Sequence, residues 1–147
     1  MTRIKICAAS ALALMACAAA AAAPALAGDV TLTLQGVEAR GGRLLVGLQT
    51  RDQFLKPAGD HGEIIANPHA GTHTVVLRNV PAGDYSVSVL HDADGDGQMK
   101  MQGVMPAEGW TMVNAQALRA APTFDQVDFV VPASGAVSQT VTMIYPH

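Results

Sequence analysis

Apolar and polar residues alternate with a period of two along most of the chain. In residues 30–35, Val30, Leu32 and Leu34 alternate with threonine and glutamine, which is typical of a strand that buries one face. Five further runs have the same character, being rich in valine, threonine and leucine and separated by glycine, proline or asparagine: 43–50, 72–78, 84–91, 126–131 and 137–145.

These runs predict an all-β fold, an antiparallel β-sandwich of about six or seven strands. The Pro-Ala-Gly-Asp-Tyr turn at residues 81–85 resembles one found in transthyretin-like sandwiches, so an immunoglobulin-like or transthyretin-like sandwich is expected. After Gly28 no long window has helical periodicity, and only a single turn is predicted around residues 51–55. In the run 84–91, the side chains of Tyr85, Val87 and Val89 share one parity, so we expect them to face the core together.

The N-terminal segment predicts export. Arg3 and Lys5 precede an apolar, alanine-rich run at residues 6–23, and the small-x-small triplet at residues 25–27 is typical of a signal-peptide cleavage site. We therefore predict a signal peptide at residues 1–27, a single β-sandwich domain at residues 28–147, and a periplasmic or secreted location.

Cysteine placement and charge exclude several classes of protein. Cys7 and Cys17 both lie in the predicted signal peptide, so cleavage leaves no disulfide, thiol nucleophile or thiolate metal site. Cys17 also ends a Leu-Met-Ala-Cys sequence that resembles a lipobox, and lipid attachment there is the alternative to cleavage. Loss of Arg3 and Lys5 with the signal peptide lowers the basic count from 9 to 7 against 12 acids, a net charge of −5, so nucleic acid and anionic membranes are not expected as partners. No integral membrane segment is expected after signal cleavage.

An acidic loop, residues 92–98, follows the run 84–91 directly. Asp92, Asp94 and Asp96, then a glycine and Gln98, match the first half of an EF-hand calcium loop. The second half does not match, because Lys100 and a glycine occupy the later ligand positions. The nearest acid that could complete the site is Glu108, and the alternative is a solvated turn whose aspartates cap their own backbone. The candidate calcium ligands are Asp92, Asp94, Asp96, Gln98 and Glu108.

Histidine and methionine give a second, weaker metal hypothesis. The spacing of His61, His69, His73 and His91 matches no compact ligand pattern. Thioethers suit Cu(I), but packing against Trp110 and the edge of the sandwich is the favoured interpretation of the methionines. These methionines are Met99, Met101, Met105 and Met112.

Several of these segments together resemble one bacterial family. They are Asn-Val-Pro-Ala-Gly-Asp-Tyr at 79–85, His91 with the acidic loop, Gly-Val-Met-Pro-Ala-Glu-Gly at 103–109, Asn114, and Pro-Thr-Phe at 122–124. The combination is similar to the family catalogued as domain of unknown function 2141, over nearly all of the mature chain. The resemblance implies a small exported β-sandwich without an assigned activity. The three aspartates and Glu108 carry over onto the family pattern, whereas Met-Lys-Met at 99–101 replaces a further aspartate that the family often has.

The expected function is that of an exported, non-enzymatic module whose acidic loop binds calcium and whose partner is another protein or an envelope component. No catalytic motif is recognised in the chain. Two alternatives stay open. One is a periplasmic copper or zinc handling protein that uses histidine and methionine. The other is an uncharacterised hydrolase with a carboxylate site around Asp92, Asp96 and Glu108.

Overall fold

The computed structural model describes residues 26–56 and 59–146. The predicted signal peptide therefore lies almost wholly outside the described residues. The strands are β1 (Ala27–Val37), β2 (Arg43–Gln49), β3 (His61–Ala66), β4 (Gly71–Pro81), β5 (Gly83–Asp92), β6 (Met101–Gln102), β7 (Met105–Pro106), β8 (Gly109–Thr111), β9 (Asp128–Val131) and β10 (Ala136–Thr142). Within the described residues, helical structure is confined to two 3-10 turns, Arg51–Gln53 and Ala115–Ala117, and a one-turn helix α1, Phe124–Val127.

Two main sheets form the sandwich. The first has three strands in the order β10-β1-β4, and the second has the order β3-β2-β5-β8, with β9 also paired to β5. Strand β5 lies at the centre of the second sheet, because β2 pairs with one side of it while β9 and β8 share the other. The all-β sandwich predicted from the alternation is confirmed.

One pairing differs from the antiparallel prediction. Strands β1 and β10 run parallel, in a continuous register from Asp29 opposite Ala136 to Gln35 opposite Thr142. A hairpin forces its two strands to be antiparallel, but these strands lie at opposite ends of the chain and have no such constraint. Strand β9 belongs to the second sheet and β10 to the first. The chain therefore crosses from one sheet to the other between these two strands, and β10 then pairs with β1.

The shorter strands were missed by the alternation. Strand β3 lies in what was predicted to be a connection, and its sequence His-Gly-Glu-Ile-Ile-Ala does not alternate. The run 126–131 begins as helix α1, where Thr123 and Gln126 form a capping box, and becomes strand only at Asp128. The turn predicted around residues 51–55 is present as the 3-10 turn Arg51–Gln53.

The core lies between the two sheets and follows the predicted parity. Tyr85, Val87 and Val89 of β5 are all buried in the main cluster, so their predicted inward orientation is confirmed. They pack with residues of the facing and neighbouring strands that have no exposed surface: Val30, Leu32 and Leu34 of β1, and Leu44 and Leu48 of β2.

The opposite parity of β5 is also largely buried. Ser86, Leu90 and Asp92 have at most 8% of their surface exposed. Helix α1 and the 3-10 turn Arg51–Gln53 both contact this strand, and a second apolar cluster forms from Met112, Ala115 and Val127 with Phe54, Trp110, Leu118 and Ile144. Because β5 is covered on both faces, it remains buried up to its last residue, Asp92.

Among residues 26–56 and 59–146, no helix combines the length and the apolar character that crossing a membrane requires.

Candidate functional site

Asp92 is the structural centre of the acidic loop. It ends β5 opposite Arg43, the first residue of β2, and its side chain has no exposed surface. Its Oδ2 accepts hydrogen bonds from Arg43 Nε at 2.7 Å and from the backbone N–H of Gly97 at 3.0 Å. Its Oδ1 accepts from the backbone N–H of Gly95 at 2.9 Å. One buried carboxylate thus binds two backbone amides of the loop and links the loop to β2 through Arg43.

These contacts determine the ionisation of Asp92. Burial disfavours the charged form and acts to raise the pKa of this carboxyl group. The hydrogen bonds from Arg43, Gly97 and Gly95, together with the charge of Arg43, outweigh burial and leave the pKa of Asp92 below its ordinary value. Asp92 is therefore a carboxylate at neutral pH, although water does not reach it.

Asp94 and Asp96 are exposed, unlike Asp92. Asp94 Oδ1 accepts from the N–H of Asp96 at 3.3 Å, and Asp96 Oδ1 accepts from the N–H of Gln98 at 2.8 Å. These are the local side-chain-to-backbone bonds of an aspartate-rich turn. One carboxylate oxygen from each of Asp92, Asp94 and Asp96 also lies within 4.8 Å of the other two. The loop has the geometry of a turn and, at the same time, that of a cluster of oxygen ligands.

Two cationic side chains of the protein offset the negative charge of this aspartate cluster. Lys100 Nζ makes an ion pair with Asp94 and lies 3.6 Å from Asp96 Oδ2. Arg43 donates from Nη2 to the carbonyl of Gly95 at 3.0 Å, in addition to its bond to Asp92. An arginine and a lysine therefore offset much of the repulsion between the aspartates.

Glu108 braces the two ends of the loop. Only 9% of its surface is exposed. Its Oε1 accepts from the N–H of Ala93 at 3.2 Å, and its Oε2 accepts from the N–H of Lys100 at 3.4 Å. Gln98 is exposed, and its N–H is already donated to Asp96. Of the five predicted ligands, the structure brings together the carboxylates of the three aspartates, while Glu108 binds backbone.

A buried histidine–tyrosine pair was missed by the sequence reasoning. His91 is 1% exposed. Its Nε2 lies 2.8 Å from the carbonyl of Gly41, and its Nδ1 lies 2.8 Å from the hydroxyl of Tyr145. A carbonyl only accepts, so we assign the proton to Nε2, and Nδ1 then accepts from Tyr145. The same hydroxyl accepts from the N–H of Glu38 at 3.0 Å. Both ring nitrogens of His91 are occupied, so neither is available to a metal.

Among the described residues, His61, His69 and His73 do not form a metal site with one another. The rings of His69 and His73 lie 4.2 Å apart, and His73 Nε2 is 2.8 Å from the carbonyl of His69. Within the described part of the chain, Asp92, Asp94 and Asp96 are the only group of three or more histidine, cysteine, aspartate or glutamate side chains whose ligand atoms converge.

The four methionines of the copper hypothesis divide into one buried and three exposed residues. Met112 lies in the second apolar cluster beside Trp110, as its predicted packing requires. Met99, Met101 and Met105 are 40%, 54% and 61% exposed, so the packing interpretation is wrong for these three. In the ribbon of β6 and β7, Met101 pairs with Pro106, and Met105 with Gln102. The side chains of Met101 and Met105 therefore project from opposite faces of the ribbon and do not form a thioether pair.

Comparison with known proteins identifies one family. Neither a curated protein nor a solved structure matches this chain. Residues 32–140 match the family described as "uncharacterized protein conserved in bacteria", DUF2141. The match extends from the middle of β1 almost to the end of β10 and includes the acidic loop, Glu108 and the buried histidine. The chain belongs to the DUF2141 family of bacterial proteins.

Proposed function

We propose that this protein is an exported, non-enzymatic β-sandwich module whose acidic loop binds calcium. The observation that carries the proposal is the convergence of three aspartate oxygens, from Asp92, Asp94 and Asp96, within 4.8 Å of one another. Calcium is a hard cation that takes carboxylate and carbonyl oxygens in flexible geometries. A short loop with three such groups offers that chemistry.

The three aspartates would have different roles in this site. Asp92 is committed to Arg43 and two backbone amides, so it shapes the loop and offers calcium little more than its charge. Asp94 and Asp96 each use one oxygen for the backbone and turn the other toward Lys100. The ammonium group of Lys100 thus lies where calcium would bind. A cation that must displace a lysine binds weakly, at a Kd of about 10⁻⁴ to 10⁻³ M, as in extracellular calcium modules.

The contacts of the candidate catalytic groups favour a binding module over a hydrolase. A general base needs a free lone pair directed toward substrate. Asp92 is buried against Arg43, Glu108 binds two backbone amides, and both nitrogens of His91 are occupied. Export rests on the N-terminal sequence, with its basic start, apolar run and small-x-small triplet. The predicted cleavage position, after Ala27, falls after the first residue of β1.

Replacing Lys100 by methionine is expected to strengthen calcium binding. The substitution removes the competing positive charge and keeps a side chain of similar length. Two unit charges about 4 Å apart interact by about 1 kcal/mol in water, so divalent calcium and the ammonium group repel by about 2 kcal/mol, which corresponds to roughly 30-fold in Kd. Isothermal titration with calcium measures the change, and thermal melting detects it independently. At ten times Kd, calcium should add about 1.4 kcal/mol to the free energy of unfolding.

Matched variants separate the site from general effects of charge. Lys56→Met removes an exposed lysine outside the loop and should leave calcium affinity unchanged. Asp94→Ala combined with Asp96→Ala should abolish binding while Asp92 still holds the loop. If Lys100→Met shows no calcium-dependent change in melting, the loop is only a turn and the calcium proposal is wrong. Parallel titrations with copper and zinc test the alternative metal handling function.

A further inference from the structure

Strand β10 has hydrogen-bonding groups that point away from its sheet. The N–H of Met143 bonds to the carbonyl of Gln35, and the carbonyl of Gly135 accepts from the N–H of Asp29, both at 2.9 Å. Along a strand the backbone groups of successive residues point to alternate sides. The odd-numbered residues of β10 therefore face β1, and the backbone groups of Ala136, Ser138 and Thr140 face outward.

The open part of this edge is short and well defined. At its far end, the carbonyl of Thr142 accepts from Thr111 Oγ1 at 2.8 Å, and Ile144 forms a bridge with Trp110. Before that point, Ala136, Ser138 and Thr140 are exposed. In residues 26–56 and 59–146, no strand other than β1 pairs with β10. Each of the three residues thus presents an N–H and a C=O in the plane of the sheet.

The composition of β10 distinguishes it from the other edges of the two sheets. Natural edge strands are commonly protected from pairing with another chain by a charge, by proline or by being very short. Here β3 carries Glu63, β4 carries Arg78, β9 carries Asp128, and β8 has only three residues. In β10 the sequence is Ala-Val-Ser-Gln-Thr-Val-Thr, without charge, proline or glycine. This edge lacks each of those protections.

We propose that β10 pairs with β10 of a second copy of this chain, antiparallel and about a two-fold axis at Ser138. In this register Ser138 lies opposite Ser138 of the partner subunit, and Ala136 lies opposite Thr140 of the partner subunit. Every outward N–H and C=O of the three residues then finds a partner, and the two three-stranded sheets become one continuous sheet. The segment carries no charge, so two copies meet without like-charge repulsion at the contact.

Lysine at the two-fold axis should dissociate the dimer. In Ser138→Lys, two ammonium groups would lie directly opposite each other, and like charges in such a cross-strand pair are destabilising. The control is Ser134→Lys, which adds the same charge at an exposed position before β10 and should leave association unchanged. Sedimentation equilibrium over a range of concentrations measures both. Mixing Ser138→Lys with Ser138→Glu should restore a dimer, because the facing charges then attract.

Amide hydrogen exchange in the wild-type protein provides a test without substitution. As concentration rises, the N–H groups of Ser138 and Thr140 should exchange more slowly, whereas that of Gln139, which already faces β1, should not change. A protein that is monomeric at every concentration would overturn the proposal. So would a Ser138→Lys variant that associates as strongly as the wild type, since the contact would then lie elsewhere.

Discussion

Replacing Asp92 by alanine is expected to lower the free energy of unfolding by about 3 kcal/mol. The substitution removes the acceptor of three hydrogen bonds, those donated by Arg43, Gly95 and Gly97. It also leaves a charged guanidinium without its partner. Because 37% of the Arg43 side chain is exposed, water can rehydrate part of it, and the loss stays at the lower end of the range for a broken buried pair.

Urea unfolding of the wild type and two variants measures this effect. Asp96→Ala is the matched control, because it removes an exposed carboxylate of the same loop that accepts one backbone N–H. The control should cost less than about 1 kcal/mol, as surface substitutions usually do. Equal losses in the two variants would mean that the burial of Asp92 and its bond to Arg43 stabilise the protein no more than the exposed turn contact of Asp96 does.

The contribution of Asp92 should also depend on pH in a defined direction. Its pKa is lower in the folded protein than in the unfolded chain. The stabilisation is therefore fully present above the unfolded pKa, and it disappears as the pH falls through the folded pKa. The difference in stability between wild type and Asp92→Ala should be constant near neutrality and shrink below about pH 4. A difference that is unchanged at about pH 2 would contradict the assignment of Asp92 as a buried carboxylate.

Replacing Gly42 by alanine is expected to destabilise the protein by about 3 kcal/mol or more. Gly42 has φ +65°, a conformation that residues with a Cβ adopt at a cost. A Cβ here would also overlap the carbonyl oxygen of Asp92, and it would lie 2.6 Å from Ala93 Cα and 2.9 Å from Ala93 O. These are backbone atoms at the start of the acidic loop, so the strain can be relieved only by moving the loop away from β2.

The neighbouring glycine provides the control for Gly42. Gly41 also has a positive φ, +72°, but a Cβ there would meet no atom within 4 Å. Gly41→Ala should therefore cost only the conformational penalty, roughly 1–2 kcal/mol. Thermal unfolding of both variants separates backbone strain from steric overlap. If the two variants are equally stable, the acidic loop is free to move away from the β1–β2 turn.

Alternation was sufficient to predict the long strands, because it reports the burial of one face. It located β1, β2, β4, β5 and β10, and it identified the inward side of β5. It failed for β3, where two adjacent isoleucines follow a glutamate on an edge strand. It could not reveal that β1 and β10 are parallel, since direction depends on where the chain crosses between sheets. The alternation of apolar and polar residues shows which face of a strand is buried, whereas the connections between strands determine the direction in which each strand runs.

The sequence predicted where the acidic loop lies, but it did not predict the burial and the counterions of its aspartates. Three aspartates and two glycines left a calcium loop and a tight acidic turn as alternatives, and the structure contains a turn whose carboxylates also converge. The burial of Asp92 was not predictable, because its counterion Arg43 lies 49 residues earlier in the chain. Glu108 was correctly brought to the loop, although it binds backbone amides in the structure. A local motif predicts which groups lie close together, and distant residues decide how each is solvated.

The parallel pairing of β1 with β10 has a consequence for the order of folding. Strand β1 lies between β4 and β10, so the middle strand of the first sheet pairs with one strand from the middle of the sequence and with the last described strand, more than 100 residues later. Pairings between such distant segments require the closure of a long loop, which slows folding. The first sheet cannot be completed until the last strand has been synthesised. A nascent chain in which β10 has not yet formed therefore lacks one edge strand of the first sheet, and β10 is the strand that completes this sheet.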